Sequence, residues 1–173
     1  MISKNMNHAL NEQINAELWS AYLYLAMSLD ASHKAMEGIA NWFFVQWMEE
    51  QDHARILESY MQQCGAKVTL KPISDVPSEW SNPQEMFEDT LAHERRVTEM
   101  VTDLVSLAMQ EGDYATLSRL QWFIDEQVEE ECDAAQKLME FERAGKDALA
   151  IHELDEEMGE RQYCTAEPLR RRN

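Results

Sequence analysis

The chain has 173 residues, 45% of them hydrophobic and 28% charged, enough to bury the core of one domain and too few to call for a second. Thirty-three acidic against fifteen basic side chains leave a formal charge of -18, which argues against nucleic acid and anionic membranes as partners and in favour of cations or basic partners. Cys64, Cys132 and Cys164 contain no CxxC pair, the Arg170-Arg171-Arg172 tail is too short to reverse the charge, and the opening residues run into polar helical sequence with no leader or spanning segment, so a reduced cytoplasmic setting is expected.

Gly and Pro are scarce and confined to a few places, while Ala, Leu, Met, Glu and Gln fill the intervals, an all-α pattern. The first helix is expected over residues 5–31, with Leu10, Ile14, Glu17, Ala21, Tyr24 and Ser28 forming an inward stripe at steps of three and four. The second, over 35–64, carries Ile39, Phe43, Gln46, Glu50, His53, Leu57 and Tyr60. Residues 65–82 hold Pro72 and Pro77 and are the one long connection. Extended, they reach roughly 60 Å, more than the roughly 42 Å of a helix of about 28 residues. The third helix, over 83–111, takes a capping residue and a first-turn proline from Ser81-Asn82-Pro83, and its stripe reads Phe87, Thr90, Glu94, Val97, Val101, Leu104 and Ala108. Gly112 separates it from the fourth, over 113–144, with Leu117, Leu120, Phe123, Gln127, Glu130, Ala134 and Phe141; a short fifth helix follows Gly145. Tight turns make the first and last pairs antiparallel, and the long crossover makes the second and third helices parallel, which is a four-helix bundle.

Each of the four stripes is interrupted near its middle by a glutamate: Glu17, Glu50, Glu94 and Glu130. In an up-and-down arrangement these should meet at one height. Four unpaired carboxylates in a low-dielectric interior cost several kcal/mol each unless protonated or joined by a cation. His53, one turn from Glu50, adds a single nitrogen, and such an oxygen-rich set suits iron or manganese, two ions rather than one, over a structural zinc site. A Glu-x-x-His pair by itself is a weak signal, because most such pairs lie on solvated faces. The joint occurrence carries the argument. Glu49 and Glu129 point about 100° away from Glu50 and Glu130, and read equally as solvated helix carboxylates or as part of a second cluster. Tyr24 reads as a core aromatic or as a neighbour of the site.

The stretches "NEQINAELWSAYLYLAMS", "EEQDHA", "LAHERR" and "LQWFIDEQVEEE" resemble the ferritin family over nearly the whole chain, and among ferritins the non-haem prokaryotic type. The resemblance implies that Glu17, Glu50 and His53 hold one iron, that Glu50 bridges to a second held by Glu94 and Glu130 with Gln127 close by, and that Glu49, Glu126, Glu129 and Glu130 form a third, nearby iron site. It gives Tyr24 the role of donating an electron or a hydrogen bond near the first iron. Haem is not expected, because the positions matching the haem-type relatives read Gln127-Val128-Glu129-Glu130 and Gln51. A rubrerythrin-like peroxidase would need cysteine-ligated iron, for which the chain has no CxxC. Where animal ferritins line a threefold pore with carboxylates, the corresponding positions are Leu117 and Leu120, so that entry route is not expected.

The resulting expectation is a ferroxidase and iron store, oxidising Fe(II) with O2 and depositing Fe(III) mineral in a hollow homo-oligomer, a shell of twenty-four subunits by resemblance. A small non-storage di-iron or dimanganese oxidase is the alternative, and a purely structural bundle the third reading.

Overall fold

The computed structural model describes residues 2–170; Arg171 and Arg172 of the basic tail lie outside the described residues. The described residues form six helices in the order α1 (Lys4–His33), α2 (Glu37–Gln63), α3 (Pro83–Glu111), α4 (Tyr114–Ala144), α5 (Ala148–Met158) and α6 (Glu167–Arg170). The expected helices appear within a few residues of their expected bounds; the single turn of α6 is an addition to the five expected. Local chemistry sets the ends. The Ser3 hydroxyl accepts from Met6 N, the Asn82 side chain from Glu85 N, and the Asp113 side chain from Thr116 N, each satisfying a backbone donor the first turn leaves orphaned. Glu85 reciprocates by accepting from Ser81 N at 2.5 Å. Gly112 ends α3 in the left-handed region, at φ 65°.

The crossover lies along α1. Asn11 Oδ1 accepts from Thr69 N (2.6 Å) and Asn15 Oδ1 from Lys71 N (2.6 Å), while Asp30, about four turns beyond Asn15 on α1, accepts from Trp80 N (3.1 Å). The connection therefore starts beside the first third of α1 and ends beside its C-terminus. That delivers α3 antiparallel to α1 and parallel to α2, the expected topology. Among the described residues no helix is long and apolar enough to cross a membrane.

The core is in two parts. One apolar cluster joins Leu10 and Ile14 of α1 to Leu57, Val97, Val101, Leu120 and Phe123; the other joins Tyr24 and Met27 to Ile39, Phe43, Phe87 and Phe141. Leu120 belongs to the first cluster and Leu117 packs partly buried against it. Between the clusters lies a layer of buried polar side chains, Glu17, Gln46, Glu50, His53, Glu94, Gln127 and Glu130.

The short α5 docks on the start of α2. Met36 gives α2 no side-chain cap, and Asp155 Oδ1 of α5 accepts from Ile39 N at 2.8 Å instead. Gly38 allows the approach: a Cβ there would lie 1.5 Å from the Asp155 carbonyl oxygen.

Candidate metal centre

Helical periodicity brings the polar layer together. Residues 17 and 24, 46, 50 and 53, or 127 and 130 stand one or two turns apart on a single face. Ligand atoms of Glu17, Glu50 and His53 lie within 4.8 Å of one another, as do those of His53, Glu126 and Glu130. His53 is common to both groups. Its Nδ1 is 3.5 Å from Glu50 Oε2 and its Nε2 3.8 Å from Glu126 Oε1, so the ring faces both groups with different nitrogens.

Glu17 is held by Gln13, which donates to its Oε1 at 2.8 Å. Glu17 and Glu50 are 1% and 2% exposed, yet Oε2 of each has no hydrogen-bond partner. Buried carboxylate oxygens left without a donor are costly. Two of them beside an imidazole make a hard, oxygen-rich donor set that fits a cation such as Fe(II) or Mn(II).

Glu94 belongs to neither group of three. Tyr24 Oη donates to its Oε1, and Gln127 Nε2 to its Oε2 at 3.1 Å. Glu130 Oε2 accepts from Gln46 Nε2 at 2.6 Å. His93, beside Glu94 in sequence, does not turn toward the carboxylates; it pairs with Ser20 Oγ at 2.7 Å, and burial lowers it to about 4, so it is neutral at physiological pH.

The expected second cluster of Glu49, Glu126, Glu129 and Glu130 is not gathered as one group. Glu126 and Glu130 join His53 instead. Glu129 is exposed, as its 100° offset from Glu130 requires on a helix with one face open to solvent. Glu49 accepts from Arg161 Nη2 at 2.6 Å. Arg161, Gln13 and the orienting amide of Gln46 are site residues beyond the expected set. Gln13 lies one turn from Glu17 and was legible by spacing; Arg161 follows α5 and carries no periodic signal.

Burial disfavours the charged form of several carboxylates in the layer. Burial pushes Glu50 well above the usual carboxylate range against the pull of His53, and raises Glu94 against hydrogen bonds from Tyr24 and Gln127. Burial also raises Glu130, with Glu94 adding to the effect, to about 8. For His53 burial acts downward, but the carboxylates of Glu50 and Glu126 outweigh it and hold the imidazole well above its ordinary value. Burial, then the Glu94 charge, puts the Tyr24 phenol well above 10. Such groups exchange protons for a metal ion on binding.

The Ferritin-like domain family matches residues 7–144. A bacterial non-heme ferritin of Staphylococcus aureus is 37% identical over 163 residues, covering 94% of this chain and 98% of its own. One from Bacteroides fragilis is 40% identical over 161 residues, covering 93% and 100%. Among solved structures, an open pore ferritin from the hyperthermophilic archaeon Archaeoglobus fulgidus superposes with a TM-score of 0.93 at 42% identity, covering 94% of this chain and all of that one. With a bundle of four long helices, one long crossover and a buried carboxylate–imidazole layer between two apolar clusters, the chain belongs to the ferritin family.

Proposed function

We propose that the protein stores and detoxifies iron, binding Fe(II) at the polar layer, oxidising it with O2 and passing Fe(III) to a mineral inside a hollow homo-oligomer, by family likeness a shell of twenty-four subunits in the cytoplasm. The observation that carries this reading is the pair of orphaned, buried oxygens on Glu17 and Glu50 beside His53. Glu17, Glu50 and His53 hold one substrate iron. Glu50, Glu94 and Glu130 hold the second, with Gln127 and Tyr24 orienting Glu94 through hydrogen bonds that leave each of its oxygens a free lone pair. Glu126, with Glu49 and Glu129 on the outer side, offers a weaker third position for iron in transit; Glu49 reaches it only by exchanging Arg161 for the ion.

Fixed carboxylates stabilise Fe(III) more than Fe(II), because the additional positive charge meets ligands that are already negative and poorly solvated, so oxidation is favoured at the site. Aerobic addition of Fe(II) to the purified protein, followed by sizing and detection of protein-bound mineral, tests the proposal. A large oligomer that acquires a ferric core supports it. Rapid oxidation by a small oligomer without a core would instead identify a non-storage oxidase, and no iron uptake at all a structural bundle.

A further inference from the structure

The segment that follows α5 contributes no ligand, yet it is fastened to the centre. Asn41 Nδ2 donates to the carbonyls of Met158 (3.3 Å), Gly159 (3.3 Å) and Arg161 (2.9 Å), seating the Arg161 guanidinium 4.4 Å above the Trp42 ring. From there Nη2 donates to Glu49 Oε2 (2.6 Å), and Nη1 to Gln46 Oε1 (2.9 Å) and the Trp42 carbonyl (3.3 Å). The Gln46 side chain is fully buried, and its Nε2 donates to Glu130 Oε2 at 2.6 Å.

The direction of this chain of bonds is chemically forced. A guanidinium only donates, whereas an amide has one accepting and one donating end. With Arg161 in place, the Gln46 oxygen must face outward and its NH2 must face Glu130. Reversed, the amide would set its oxygen against a carboxylate oxygen and a buried NH2 against a guanidinium. We propose that Arg161 is a positioning residue for the second iron, acting through the Gln46 amide to hold Glu130 by Oε2 and keep Oε1 turned to the metal. This rests on the reading of Glu130 as a ligand of that ion, and it makes the seating of the segment after α5 a condition for loading the centre fully.

Anaerobic Co(II) titration, followed by ligand-field absorption and calorimetry, tests the relay in the parent, Arg161→Met, Gln46→Ala and the double variant, with Glu130→Ala as reference. Methionine keeps the aliphatic packing on Trp42. The first Co(II) is expected to bind unchanged, the second about tenfold more weakly in either single variant, in line with the loss of a group that orients a ligand. The double variant is expected to bind it no more weakly than Gln46→Ala alone, since both changes cut one path. A second-ion affinity unchanged in Arg161→Met, or losses that add in the double variant, would overturn the relay. Gln46→Ala leaves Arg161 and its segment in place, so if Arg161→Met does not fold, an unaltered second ion in Gln46→Ala overturns it equally. Loss of the second ion in Glu130→Ala but not in Arg161→Met removes the relay alone; retention of it in Glu130→Ala removes the assignment of Glu130 beneath it.

Discussion

Tyr24 of α1 donates its hydroxyl to Glu94 Oε1 of α3, with both side chains sealed from solvent. In Tyr24→Phe the carboxylate loses that donor in a place where water does not replace it, and the metal-free protein should lose about 1–3 kcal/mol of stability. An ion at Glu94 compensates the lost bond, so the difference from the parent should shrink when Zn(II) is present. Urea midpoints with and without Zn(II) measure both; an equal deficit in the two conditions would separate Glu94 from the metal.

Glu50 and His53 share one group of ligand atoms, and His53 links it to the other. Glu50→Ala and His53→Ala should each slow the first phase of Fe(II) oxidation by at least about tenfold, because bound geometry is what makes the reaction fast, while the helical circular-dichroism spectrum is kept. Stopped-flow absorbance after mixing with O2 reads the phase. Parent-like initial rates in both variants would remove the site from the mechanism.

Stability of the metal-free protein should fall as pH rises from about 4.5 to 8. Burial raises Glu50, Glu94 and Glu130 above the ordinary 4.5, Glu130 to about 8, so across that window the folded chain binds more protons than the unfolded one. His53 acts with the same sign, its contribution being complete below 6.5 and lost as pH rises through its raised folded value. Denaturation midpoints at half-unit pH steps give the profile, and Glu130→Gln should flatten it near its upper end. A midpoint that climbs through this range contradicts the assignment.

Gly38→Ala places a methyl group 1.5 Å from the Asp155 carbonyl oxygen, a backbone atom that cannot rotate away. The helix α5 must lift from α2, breaking the Asp155 to Ile39 N bond that caps it. The expected cost is about 2 kcal/mol or more, with amide hydrogen exchange accelerating over residues 148–158 while α1 and α3 keep their protection. Unchanged exchange across α5 would show that the contact relaxes without consequence.

Much of the fold and the level of the site were legible in the chain because they depend on local regularities. A stripe at steps of three and four defines the buried face of a helix whatever its neighbours are, and glutamates at the middle of four stripes must share a height once the turns and the eighteen-residue crossover dictate the directions. Glu17, Glu50, His53, Glu94, Gln127 and Glu130 were placed in the layer on that basis, and all are buried there. Periodicity has no power over which atom of one side chain meets which atom of another. That Glu94 is engaged by Tyr24 and Gln127, that Glu126 turns to His53 while Glu129 stays in solvent, and that Arg161 claims Glu49 depends on contacts between residues far apart in the chain. The seat of α5 is of the same kind, since the absent Cβ of Gly38 matters only when a carbonyl more than a hundred residues later arrives against it. Local hydrophobic pattern therefore determined the bundle and the height of its polar layer, and only tertiary packing decided the partners within that layer, because each is selected by the space and the unpaired donors that other segments leave.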